Sequence, residues 1–224
     1  MSEQLFDLED EPIQPSPWWI RTGKIIVTLI ALGGILYLSG GYQYFFFHRT
    51  PFGAEQTLVP SKIQAPAITI PVIVHILSGA VGSERTEQDA ERLVENANRI
   101  WNQANITFAL ADFLYPEVTN DDLRRFEHDP YGFIANSATE VPGAVNLYLT
   151  PTLSGVNGLA YGGTSAIAVA DYTSTLDYRT LAHEFGHFLG LPHVANPKSL
   201  MSSGATGVEL SLEEITQARQ VAIR

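Results

Sequence analysis

Three of the chain's six histidines fall within eleven residues, His183-Glu184-Phe185-Gly186-His187-Phe188-Leu189-Gly190-Leu191-Pro192-His193. On a helix, residues four apart lie one turn above each other on a common face, so His183 and His187 can direct their imidazoles at a single ion. His193 is six residues past His187 and would point away if the helix continued. Gly190 removes the difficulty, because glycine adopts the left-handed conformation that ends a helix, and Pro192 discourages its resumption. The chain can then turn and bring His193 back. Three neutral imidazoles leave a fourth tetrahedral position for water, as a catalytic rather than a structural zinc site requires. Glu184, next to the first histidine, can reach a water at that position without being a ligand and so act as its general base.

His-Glu-x-x-His alone would arise by chance in roughly one of a hundred such sequences, and with Gly190 and His193 added in roughly one of 40,000. The longer pattern resembles the zinc-binding motif of the metzincins, the zinc endopeptidases that include matrixins, astacins and the adamalysin group. The resemblance implies a methionine in a tight turn beyond the third histidine, and Met201, eight residues past His193, takes that place. It implies an α+β, metzincin-like zincin fold. Such a fold has a twisted mixed sheet, a long backing helix, an active-site helix, and a small C-terminal subdomain with the Met-turn and a closing helix. It further implies that Gly158, Leu159, Ala160 and Tyr161 form the edge strand along which an extended substrate is held by main-chain pairing. The compact size looks most like matrixin-type or small bacterial members. Two departures stand out: Ser203 occupies the position where astacin-like and serralysin-like members carry a tyrosine, and the chain has no cysteine for matrixin-type latency.

The elements that must position the motif are legible in outline. Residues 72–77 form a β-branched apolar run after Pro71, which fits the first position of a strand. Residues 86–103 read as a helix, with Thr86 and Asp89 as a capping pair and Ala90, Leu93, Val94, Ala97, Ile100 and Trp101 along one face. Strands are expected at 106–111, 145–150 and 166–170, and helices at 176–189 and 212–222, the latter opened by a Ser211/Glu214 capping box. The pattern is weak between Pro116 and Pro142. His75 alternates with Ile73 and Leu77 and reads as a packed or hydrogen-bonded histidine, His128 as a solvated loop residue. Calcium near Asp121-Asp122 is possible but unsupported, since the spacing matches no defined calcium loop; a solvated acidic surface is expected there.

Residues 25–47 are 23 residues without a charge, long enough to cross roughly 30 Å of hydrocarbon as a helix. Trp18, Trp19, Tyr42 and Tyr44 lie near its ends, and Arg21, Lys24 and Arg49 flank it, as interfacial anchors should. The expected organisation is a cytoplasmic disordered tail (1–24), a transmembrane signal anchor (25–47), a stalk (48–66) and a zinc metalloprotease domain (67–224). Arg21 and Lys24 sit closer to the apolar run than Arg49 and Lys62, which favours a single-pass type II topology with the catalytic domain extracytoplasmic. The alternative is secretion after signal-peptide cleavage near Ser39 and Gly41, which would leave Phe45-Phe46-Phe47 on an exposed new N-terminus.

With 24 acidic against 13 basic residues the net charge is −11, so nucleic acid is not an expected partner. The absence of cysteine excludes disulfides, thiolate metal sites and a cysteine nucleophile. The function expected from the motif and its resemblance is a membrane-anchored zinc endopeptidase. It would use one catalytic Zn2+, act on a protein or peptide substrate and hold to the lipid bilayer through residues 25–47. The alternative is a non-catalytic, zinc-stabilised extracytoplasmic binding module. That reading would be marked by a lost Glu184 or a damaged ligand set, and both are intact.

Overall fold

The structure is a computed structural model that describes residues 61–129, 133 and 140–223. The expected tail and membrane helix, and residues 48–60 of the stalk, lie outside them. Among the described residues no helix is long and apolar enough to cross a membrane.

The strands are β1 (Ile68–Ile76), β2 (Ile106–Leu114), β3 (Val145–Thr150), β4 (Gly158–Ala160) and β5 (Ala166–Ala170), and the helices are α1 (Glu87–Trp101), α2 (Asn120–His128), α3 (Asp177–Phe188) and α4 (Leu212–Ala222). The strands form one sheet in the order β2-β1-β3-β5-β4. β2, β1, β3 and β5 run parallel and β4 runs antiparallel to β5, so the sheet is mixed.

Alternation along the strands sends side chains to two cores. On one face Val72, Val74, Ile76, Leu147, Leu149, Ile167 and Val169 pack with residues of α1, α3 and α4. The residues expected to form the buried face of α1 are the ones buried. Trp101, at the end of α1, donates its indole N–H to the Ala182 carbonyl of α3 at 3.0 Å. Phe108 of β2 lies edge-on to Trp101 and stacked on Phe185, with centroids 5.9 and 3.6 Å apart. The backing helix therefore holds the motif-bearing helix by one directed bond and an aromatic bridge. On the opposite face Tyr148, Ala166, Ala168 and Ala170 pack with Phe126 of α2, Val118, Leu153 and Tyr161.

A polar cluster fixes where α3 begins. Asp171, just after β5, accepts from Ser83 Oγ at 2.6 Å and from the Glu84 N–H at 2.7 Å, while Arg85 Nη1 donates to Asp177 at 2.9 Å. The loop before α1 is thus tied to the loop before α3.

Several boundaries differ from the sequence reading. β1 starts at Ile68, so Pro71 is inside the strand. The Ile68 N–H points to β2 and the Leu77 N–H to β3, and amides alternate, so Pro71 faces the β3 side. β3 joins only at Val72, and no ladder bond is lost. The helix expected to reach residue 103 ends at Trp101, and a 3-10 turn over Asn102–Ala104 closes on Asn105, at φ 50°. Residues 62–66, assigned to the stalk, are tied to the domain: the Lys62 N–H bonds Gln103 O at 3.0 Å, and Arg219 Nη2 bonds Pro66 O at 2.7 Å. α2 lies in the stretch where the sequence pattern is weak. Its capping box joins Thr119 and Asp122, and Asp121 pairs with Arg124, so both acids have helix-opening roles.

Candidate metal centre

α3 carries His183 and His187 one turn apart, and its end is built to return the chain to them. Leu189 is the C-cap, Gly190 follows at φ +78°, and two main-chain bonds close the turn, Gly190 N–H to His187 O and Leu191 N–H to Gly186 O, both 2.9 Å. This is a Schellman ending, which needs the left-handed residue that glycine supplies. The Leu191 carbonyl then accepts from His187 Nδ1 at 2.9 Å. Beyond Pro192, His193 comes back, and the Val194 N–H bonds Met201 O at 3.1 Å.

The three Nε2 atoms form a triangle with sides of 3.1, 3.1 and 3.0 Å. They are the one His, Cys, Asp or Glu cluster among the described residues placed to hold a metal. Hydrogen bonding does not explain the contact between the two helix histidines. His183 Nδ1 lies 2.7 Å from Leu200 O and His187 Nδ1 2.9 Å from Leu191 O. A carbonyl only accepts, so in each neutral ring Nδ1 carries the proton and Nε2 the lone pair. Two bare nitrogens at 3.1 Å repel unless a cation joins them. Tetrahedral zinc, with bonds of about 2.0–2.1 Å, spaces its nitrogens by roughly 3.3 Å, so the donor set fits that ion. Burial lowers His183 to about 4 and His187 in the same direction, which keeps both rings neutral at pH 7.

Glu184 is 5% exposed. Burial pushes its carboxyl up to about 7, opposed by a hydrogen bond from the Ala160 N–H and by the Arg179 guanidinium. β4 can lie this close because Gly158 has no side chain: a Cβ there would come within 2.9 Å of Glu184 and 2.8 Å of Thr180. The expected edge strand spans Gly158, Leu159 and Ala160 but not Tyr161. That residue turns inward, its N–H bonding Ala166 O at 3.0 Å and its ring buried in the second core. Tyr161 and Asn157 bond to β5, so the main-chain groups of Gly158 and Ala160 face the other way. The Ala160 N–H lies on that outward side, where it favours the charged form of Glu184.

Met201 is fully buried in a turn where its own N–H bonds Ser199 Oγ at 3.0 Å and the Ser202 N–H bonds Ser199 O at 3.2 Å. Its sulfur lies against Gly186, where an added Cβ would be 2.4 Å from Sδ. The sequence reading missed Gly186 and also Arg179. Arg179 is 5% exposed and clamps the same segment, donating to Leu200 O and Ser202 O at 2.8 Å and to Gly207 O at 3.2 Å. Arginine at i−4 from the first histidine was the available signal. The site opens into a cleft of about 670 Å3 lined by His183, Glu184, His187, His193, β4 and the segment after Met201.

No family model matches the chain, and no curated protein matches it. Among solved structures, archaemetzincin from Methanopyrus kandleri is 13% identical over 70% of this chain and 97% of its own, with a TM-score of 0.51. Metalloproteinase-II from Bacteroides fragilis is 18% identical over 78% of this chain, with a TM-score of 0.49. A chain from a chaperone–substrate complex is 14% identical over 70% of this chain, also with a TM-score of 0.49. The alignments span only 59% and 35% of those last two proteins. The likeness to the archaeal protein is one of fold.

Proposed function

We propose that the chain is a zinc-dependent endopeptidase of metzincin type, tethered to a membrane by residues 25–47. The observation that carries the reading is the triangle of Nε2 atoms whose two helix members donate their Nδ1–H groups to main-chain carbonyls. His183, His187 and His193 would hold one zinc ion, which when bound lowers the pKa of a water and polarises a peptide carbonyl. Glu184 is the general base. Held near 7 by burial, its carboxyl can accept a proton from water and return it to the leaving amine. Gly158 lets the strand approach the carboxylate closely. Met201 packs against Gly186 between the two helix histidines, and the Arg179 clamp holds Leu200, whose carbonyl accepts from His183 Nδ1.

The outward main-chain groups of Gly158 and Ala160 are the candidate contacts for an extended peptide, which pairs with a strand edge with little dependence on side chains. The tether places the domain outside the cytoplasm, on the proximity of Arg21 and Lys24 to the apolar run. The test uses the full chain in detergent with a mixed peptide library. Chelation is expected to abolish cleavage and one equivalent of zinc to restore it; cleavage indifferent to chelation contradicts the reading.

A further inference from the structure

We infer that Asn157 is a positioning residue for substrate, fixing β4 against α3 at the place where a long peptide pairs with it; the inference rests on the peptidase reading and names what sets the register of that site. β4 is three residues long and lies at the end of the sheet, beside β5. Its outward main-chain groups belong to Gly158 and Ala160, whose side chains are too small to tie the strand to α3. The chain enters it from a turn in which Ser154 and Gly155 take φ of 46° and 88°. A short strand of small residues specifies its own register weakly, so it has to be held at its ends. Tyr161, buried in the second core, holds the far end. Asn157 holds the near one.

Asn157 Oδ1 accepts from the Ser174 N–H at 2.8 Å, and Nδ2 donates to Ser174 Oγ at 2.9 Å. The Asn157 carbonyl accepts from the Ala170 N–H at 3.0 Å, so this one residue grips the segment between β5 and α3 at two points. Further along that segment Thr175 Oγ1 lies 3.1 Å from Thr180 Oγ1 of α3, one turn before Glu184. The Thr180 methyl then meets Gly158, where an added Cβ would lie 2.8 Å from Cγ2. The contacts close a ring that returns to the residue after Asn157. Asn157, Ser174, Thr175 and Thr180 all line the cleft, so the ring borders the site. Main-chain pairing weakens steeply once distance and angle depart from hydrogen-bond geometry. A displaced β4 therefore costs a long peptide several modest bonds together, and a short peptide few of them.

The zinc-loaded full chain would be assayed with a peptide of one cleaved bond, lengthened residue by residue on either side. On the side that pairs with β4, wild-type kcat/KM is expected to rise with length, chiefly through KM. Folded, zinc-loaded Asn157→Ala is expected to lose roughly threefold to tenfold more on the longest peptide than on the shortest. Asn157→Asp, which still accepts from the Ser174 N–H and hydroxyl, is expected to keep the wild-type length dependence. A merely structural role has no reason to track substrate length. An equal loss at every length, an unchanged length dependence in Asn157→Ala, or the same loss in Asn157→Asp would overturn the proposal. If the alanine variant does not fold, Asn157→Ser, too short to span both Ser174 groups, is read by the same outcomes. In parallel, fluorescence anisotropy measures the same peptides binding to Glu184→Gln with and without Asn157→Ala. Affinity that rises with length only when Asn157 is present, without any cleavage by the wild type, would remove the peptidase reading and keep this one. Cleavage and affinity indifferent to length, or affinity indifferent to Asn157, would overturn it.

Discussion

Gly186 stands between the two helix histidines with Met201 Sδ where its side chain would be. Gly186→Ala would gain about 1 kcal/mol of helix propensity. Against this, overpacking a closed core costs about 1–3 kcal/mol, and Met201 is fully buried with no outlet. A net loss of stability is expected by chemical denaturation, and Gly186→Ala with Met201→Ala should cost less than the sum of the two singles. Additive effects would mean the contact does not constrain the helix. The contrast with the ligands explains what could be read from sequence. His183, Glu184, His187, Gly190 and His193 lie within eleven residues, where helix geometry and one left-handed glycine determine their arrangement. Gly186 and Arg179 take their meaning from Leu200, Met201, Ser202 and Gly207, which only the tertiary turn brings to them.

The same division holds for the elements. α1, β3, β5 and α4 were legible because each carries a strong local signal: capping boxes at Thr86 and Ser211, and short apolar runs in the two strands. α2 has an equally good box at Thr119 and Asp122, but little apolar periodicity follows it, so the box was overlooked. β1 was begun too late because Pro71 reads as a start when nothing reveals that its nitrogen faces an unpaired side. His75 in β1 reads as a packed or hydrogen-bonded histidine and is both, and its bonds also make it a pH-dependent element. Asn146 Oδ1 accepts from the Val141 N–H at 2.8 Å, so His75 Nε2, 2.9 Å away, must be the donor. Nδ1 is left buried without a partner, on a ring stacked 4.3 Å from Tyr148. Burial lowers the His75 pKa from 6.5. Below that value the unfolded chain takes up a proton that the folded chain refuses, so this contribution to stability is present above about 6.5 and is lost as pH falls towards the folded pKa. Denaturation at a series of pH values from about 5 to 7 should show wild type losing stability on acidification more steeply than His75→Phe. Parallel curves would contradict the assignment.

At the scale of the whole molecule, the residues beyond position 48 carry 19 acidic and 11 basic side chains, and the proposed anchor would hold this acidic domain at a membrane surface. Protease added to intact spheroplasts, or in an equivalent sidedness assay, is expected to reach residues 67–224 without lysis; protection until lysis would reverse the topology. The fold joins the parts of the site across the whole domain. β4 brings Ala160 to Glu184, α1 holds α3 through Trp101, and the Met201 turn supplies the carbonyl that orients His183. All of them converge on the proposed centre, in which three histidines would hold zinc while Glu184 would handle the proton. The most direct measurement is zinc content alongside peptide hydrolysis for wild type and Glu184→Gln. One zinc per chain is expected in both, with hydrolysis lower in the variant by about 10²–10⁴-fold. Near-wild-type turnover by zinc-loaded Glu184→Gln would contradict the claim.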